Sequence, residues 1–108
     1  MAREKIDPLL KKLVADLNKA GFITNSSCQG KTCPDDYEND RHCEHSFISF
    51  TDDTVLRKRR AKAKKLGLYI YNGDISITAL SGRETKAESI FKRNLSFVPK
   101  MRELFDLA

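Results

Sequence analysis

Ser26-Ser27-Cys28-Gln29-Gly30, running on to His42-Cys43-Glu44-His45, holds all three cysteines and both histidines of a 108-residue chain. Five such residues scattered at random seldom fall between positions 28 and 45. The pattern on either side is that of strands. Phe22-Ile23-Thr24-Asn25-Ser26 is short, aromatic and β-branched, and Ser46-Phe47-Ile48-Ser49-Phe50-Thr51 alternates apolar with polar residues. Residues 27–45 are therefore expected to be a loop joining two partner strands, with Cys28 and His45 at its feet. Turn chemistry at Gln29-Gly30-Lys31 and Pro34-Asp35-Asp36 agrees. A loop of this length inside a compact domain is unusual unless something holds it.

Upstream, Asp7-Pro8 reads as an N-cap followed by proline at the first helical position. Leu9, Leu10, Leu13, Val14 and Leu17 form one apolar stripe, and Gly21 supplies a left-handed stop, which predicts a helix from Pro8 to Ala20. Downstream, Asp52-Asp53-Thr54 offers caps for a second helix, from Thr54 to Leu66, with a narrow apolar edge and a cationic face. Leu68–Tyr71, Asn72-Gly73 and Ile75–Leu80 predict a hairpin with a type I′ turn. Thr85–Glu88 has capping-box spacing ahead of Ile90, Phe91 and Leu95, and Val98-Pro99 is expected to break or restart that last helix.

The resulting order is α-β-β-α-β-β-α(α). It predicts a single α+β domain over residues 1–108, with a four-stranded, mostly antiparallel sheet and helices on one face. No apolar run approaches the ~20 residues of a membrane span. The opening Met1–Pro8 lacks the apolar core of a signal peptide. A reducing cytoplasm is the expected setting, and there cysteines are more often ligands or nucleophiles than disulfides.

Cys28, Cys33, Cys43 and His45 make up the complement of a structural tetrahedral Zn²⁺ site, with His42 as the alternative ligand. An ion held there would contribute on the order of 10 kcal/mol to ordering the loop. The spacings x4, x9 and x1 are not those of a standard finger. A polar loop with incidental cysteines, or a Cys33–Cys43 disulfide, are the competing readings. Cys28 also sits in a turn with Gly30, a setting in which backbone N–H groups can converge on an anion or thiolate, which makes it the candidate nucleophile as well. Ligand is the preferred reading, because no histidine is specifically spaced to act as its base.

Phe22 to Lys31 resembles the aromatic-x-Thr-x-Ser-Ser-Cys-x-Gly-basic motif of the wybutosine-synthesis tRNA methyltransferase family. The aspartate, helix and asparagine of that family are matched here by Asp7, the first helix and Asn18. A similar Ser-Cys-x-Gly turn occurs in small uncharacterised bacterial and phage proteins. The resemblance marks Ser26, Ser27, Cys28, Gly30 and Lys31. It implies a minimal RNA- or nucleotide-modifying enzyme using that turn, with S-adenosylmethionine as cofactor.

Charge supplies the second feature. Residues 35–44 hold five acids (Asp35, Asp36, Glu38, Asp40, Glu44) against Arg41, a balance of −4 in a chain of net charge +5. Residues 57–65 hold seven bases and no acid: Arg57, Lys58, Arg59, Arg60, Lys62, Lys64 and Lys65. A solvated helix face is the ordinary reading of such a run. The neighbouring tyrosines, Tyr69 and Tyr71, favour a nucleic-acid partner, RNA above DNA, bound through phosphates. The helix lacks the broad apolar face that membrane binding needs. A zinc-stabilised RNA-binding protein is thus the leading expectation. The modifying enzyme comes second. A phage- or host-encoded inhibitor presenting the acidic loop to a protein partner is the third.

Overall fold

The computed structural model describes residues 7–39, 42–43, 45–77 and 87–107. A 3-10 turn, Pro8–Leu10, leads into α1 (Lys11–Lys19). The remaining elements are β1 (Thr24–Cys28), α2 (Pro34–Glu38), β2 (Phe47–Phe50), α3 (Thr54–Arg57), α4 (Arg60–Lys65), β3 (Tyr69–Tyr71), β4 (Asp74–Ser76) and α5 (Ala87–Leu104). The fold is α+β. Its four strands form one antiparallel sheet in the order β1-β2-β4-β3.

One core lies on one face of the sheet. Ile48, Phe50 and Ile75 point into it from the strands and meet α1 (Leu13, Leu17), α3 (Leu56) and α5 (Phe97, Met101). Strand residues alternate between faces. The neighbours of these apolar positions therefore point the other way. In register across the sheet, Cys28 faces Phe47, Phe47 faces Ser76, and Ser76 faces Tyr69. Two residues further along, Ser49, Asp74 and Tyr71 make a second row on that same face. These side chains are half-exposed or exposed except at Cys28, and Tyr69 and Tyr71 reach 48% and 64% exposure.

Four local expectations need correction. Asp7 does stand at the N-cap with Pro8 in the first turn, but it makes no side-chain cap, because its carboxylate is drawn to the site loop instead. The expected second helix is two pieces, because Arg59 leaves helical geometry (φ −110°, ψ 9°). Its guanidinium turns inward, 4.7 Å from the ring centres of both Phe22 and Phe105, and donates to the Val55 carbonyl at 2.9 Å. Two aromatic faces and a carbonyl outweigh one turn of helix.

The hairpin turn has positive φ at Asn72 (+55°) but not at Gly73, so it is not type I′. Gly73 is instead needed for close approach: its carbonyl accepts from Phe50 N–H at 2.8 Å, and a Cβ there would meet the Phe50 carbonyl oxygen at 3.0 Å. Finally, Pro99 lies inside α5 and does not end it. The apolar stripe Ile90, Phe97, Met101 and Leu104 is buried along the whole helix, so packing overrides the lost hydrogen bond. The capping box at residues 85–88 falls partly outside the described residues.

Candidate functional site

The loop between β1 and β2 is closed at its neck by polar groups that the core buries. Asn94, on the inward stripe of α5, is fully buried. Its Oδ1 accepts from Ser46 N–H at 2.9 Å and its Nδ2 donates to the Lys31 carbonyl at 2.7 Å, tying together both ends of the loop. The Ser46 hydroxyl, also fully buried, donates to the Gln29 carbonyl. Gly30 fits beneath this clasp with φ +76°, where a Cβ would lie 2.6 Å from both Asn94 Nδ2 and Ser46 N. Only glycine tolerates both the dihedral and the contact.

A second brace runs from the chain's first described residue. Asp7 Oδ2 accepts from Gln29 N–H at 2.9 Å, while Gln29 Oε1 accepts from Leu9 N–H at 3.1 Å. The glutamine side chain thus satisfies an N-terminal amide of the first turn that Asp7, as an ordinary cap, would have taken. The exchange leaves Asp7 Oδ1 facing His42 Nδ1 at 3.2 Å. On its other side His42 Nε2 lies 4.0 Å from Asp36 Oδ1.

His42 holds a positive φ of +63°, rare for a residue with a side chain. The buried Lys31 fixes it there, its ammonium donating to the His42 carbonyl at 2.9 Å and to that of Asp36 at 3.4 Å. Asp36 opens α2 just after Pro34 at the positive end of that short helix. Its buried carboxylate accepts from Thr32 N–H at 2.9 Å, which, with a further hydrogen bond from Cys33 and the nearby His42, holds its pKa below the usual carboxylate value.

Cys28 ends β1 beneath this arrangement, 6% exposed. The Cys43 N–H donates to its sulfur at 2.9 Å, and the Gly30 N–H also points at it. Burial nonetheless pushes the thiol up to about 11, outweighing those two donors, with the neighbouring Cys43 side chain adding to the rise. That direction is the opposite of what an activated nucleophile needs. The candidate nucleophile of the sequence is therefore held as a neutral thiol unless a cation displaces its proton.

The expected quartet Cys28, Cys33, Cys43 and His45 does not come together among the described residues. The metal-type group that does is Asp7, Cys28 and His42, whose ligand atoms all lie within 4.8 Å of one another. Cys33 hydrogen-bonds to Asp36; Cys43, though exposed, has its side chain against Cys28, so these two of the quartet meet; no disulfide links the three cysteines. Of the two histidines, the alternative ligand His42 is the one placed at the site. Ser26 and Ser27 lie half-buried along β1, leading into it.

The acidic stretch is smaller as a surface than its sequence implies, because Asp36 is buried and committed to Thr32. Asp35 and Glu38 are exposed, while Asp40 and Glu44 lie outside the described residues. Asn94 and Gln29 are the site-shaping residues the sequence did not single out. A polar asparagine on the apolar stripe of α5 was the available signal.

The basic run divides in the same way. Arg59 is inside the aromatic sandwich, Arg57 pairs with Asp53 at 3.0 Å, and Lys62 pairs with Asp106 at 3.1 Å. Lys58, Arg60, Lys64 and Lys65 remain exposed without an ion pair to any described residue. Arg60 and Lys64 line an open depression of about 320 Å³ together with Leu68, Tyr69 and Ile70. It joins the cationic helix to the tyrosine-bearing edge of the sheet. No helix among the described residues is long and apolar enough to cross a membrane. No family model matches this chain, and neither a curated protein nor a solved structure matches it.

Proposed function

We propose that this protein binds single-stranded nucleic acid, RNA foremost, on the sheet face turned away from the core. The observation that carries the reading is the exposure of Tyr69 and Tyr71 on that face, with Arg60 and Lys64 at its border. Exposed aromatic rings on a sheet are a stacking platform for unpaired bases, and stacking tolerates any base. Asp74, exposed in the middle of the face beside Ser49, repels phosphate but accepts hydrogen bonds from base amino groups and ribose hydroxyls. The backbone of the ligand then tracks along α4, where the unpaired cations are. The resemblance of residues 22–31 to a tRNA-modifying family supports the same class of ligand.

The test is binding of a fluorescent single-stranded RNA at two salt concentrations. Tyr69→Ala and Tyr71→Ala each lose about 1–3 kcal/mol of affinity, and Arg60→Glu and Lys64→Glu flatten the salt dependence by about one unit apiece or more. A Tyr69→Ala/Tyr71→Ala double variant that binds as the parent does, with an unchanged circular dichroism spectrum, rejects the reading.

A second reading rests on the convergence at Cys28: a modifying enzyme acting from the Ser26–Lys31 turn, as the family resemblance implies. It predicts methyl transfer from S-adenosylmethionine to RNA that Cys28→Ser abolishes while RNA affinity stays.

A further inference from the structure

Asp7, Cys28 and His42 come from three separate places in the chain: the start of the first turn, the end of β1, and the loop before β2. Each is oriented by a partner of its own. Gln29 N–H occupies Asp7 Oδ2 and leaves Oδ1 toward His42. Asp36 faces Nε2 of His42, so that Nδ1 is the nitrogen turned to Asp7. Two backbone N–H groups, those of Cys43 and Gly30, aim at the Cys28 sulfur. Outer partners of this kind, a carboxylate behind an imidazole and amides on a sulfur, are what hold metal ligands in place. His42 is also kept in a left-handed conformation by a buried lysine, a cost that a loop without a task at this point has no reason to bear.

We propose that these three side chains bind one divalent transition-metal ion of the zinc class, with a coordination position left for water or a ligand. Carboxylate, thiolate and imidazole are a mixed oxygen, sulfur and nitrogen set. It suits zinc, cobalt(II) or iron(II) and disfavours magnesium and calcium, which take oxygen alone. Three protein ligands rather than four are the pattern of sites that keep an open position. Ligand atoms around a tetrahedral ion sit roughly 3.5 Å apart, given bonds of about 2.0–2.3 Å. The Asp7–His42 pair is already at 3.2 Å, and the whole group, within 4.8 Å, closes on an ion by shifts of about an ångström. The site differs from the quartet that the cysteine spacing predicts: Cys33 and His45 are not needed for it, and Cys43 serves through its N–H on the Cys28 sulfur. The site does not rest on the proposed RNA binding, since its ligands do not include Tyr69 or Tyr71.

Cobalt(II) titration of the full chain, stripped with a chelator and kept reduced, tests it. One equivalent binds and produces a thiolate-to-cobalt charge-transfer band. Cys28→Ser loses the band, and Asp7→Asn and His42→Gln each weaken binding by about tenfold or more. Cys33→Ser and His45→Gln keep both the band and the affinity. Because Cys28→Ser loosens a buried site, the decision rests on Asp7→Asn and His42→Gln, each checked for native circular dichroism. The proposal is overturned by the absence of any band in the parent protein. It is equally overturned by a band that Asp7→Asn and His42→Gln leave intact, or by one that Cys33→Ser or His45→Gln removes.

Discussion

Asn94 does for the loop what the cysteines were expected to do. A single amide, fully buried, satisfies a backbone donor at Ser46 and a backbone acceptor at Lys31. Removing it strands both groups in the core, and each stranded group costs about 1–3 kcal/mol. Asn94→Ala therefore lowers the urea midpoint well beyond an ordinary surface change. Gly30→Ala does likewise, since left-handed backbone alone costs a side chain about 1–2 kcal/mol and the new Cβ would meet Ser46 N at 2.6 Å.

Asp36 adds a pH dependence. Its pKa lies below the ordinary value because of the Thr32 N–H, so its stabilisation is complete above the ordinary carboxylate range and is lost as pH falls through the folded-state value. Asp36→Asn is therefore less stable than the parent at neutral pH, and the gap closes in acid when unfolding is followed at both. Cys28 runs in the other direction. Its stabilising contribution holds up to the ordinary thiol pKa and is lost as pH rises toward about 11. In metal-free protein at pH 8, iodoacetamide is expected to modify the exposed Cys43 first and Cys28 slowly. Mass spectrometry of the alkylated peptides checks the order.

At the scale of elements, periodicity located the four strands and the longer helices, but it missed α2, which lies inside the stretch expected to be a loop, and it misplaced several ends. The apolar stripe of α1, the stop at Gly21 and the strand at Phe47–Phe50 were legible because stripe, glycine and alternation are local signals. The break between α3 and α4 was not, because its cause is distant: Phe22 and Phe105 are far from Arg59 in sequence and meet it only in the folded chain. Read locally, Arg59 belongs to a run of seven bases. In place, it is a strut between α4, the α1–β1 turn and the C-terminal end of α5. Arg59→Ala is accordingly expected to cost about 1–3 kcal/mol in stability. Lys58→Ala and Lys65→Ala stay within about half a kcal/mol of the parent. Thermal melts of the three variants separate the strut from the solvated face. Pro99 teaches the same lesson from the other side, since a local breaker is overruled by a buried stripe that extends beyond it.

Across the whole molecule, the sequence disclosed that chemistry was concentrated between residues 28 and 45 but not which residues would share it. Asp7 looked like a helix cap and Asn94 like one polar residue in a helix. Both became site residues only because the fold brings the first turn, β1 and α5 to one end of the sheet. The same assembly leaves the far face of the sheet bearing Tyr69 and Tyr71, with the cationic depression at its edge. The core packs α1, α3, α4 and α5 on one side of the sheet, and the proposed ligand takes the other. That face is most directly tested by photo-crosslinking the full protein to single-stranded RNA containing 4-thiouridine and mapping the adducts by mass spectrometry. Adducts are expected on the β3 peptide carrying Tyr69 and Tyr71 and on Phe47 of β2. Adducts confined to α1, α5 or the acidic α2, with β2 and β3 unmodified, would contradict the proposed binding.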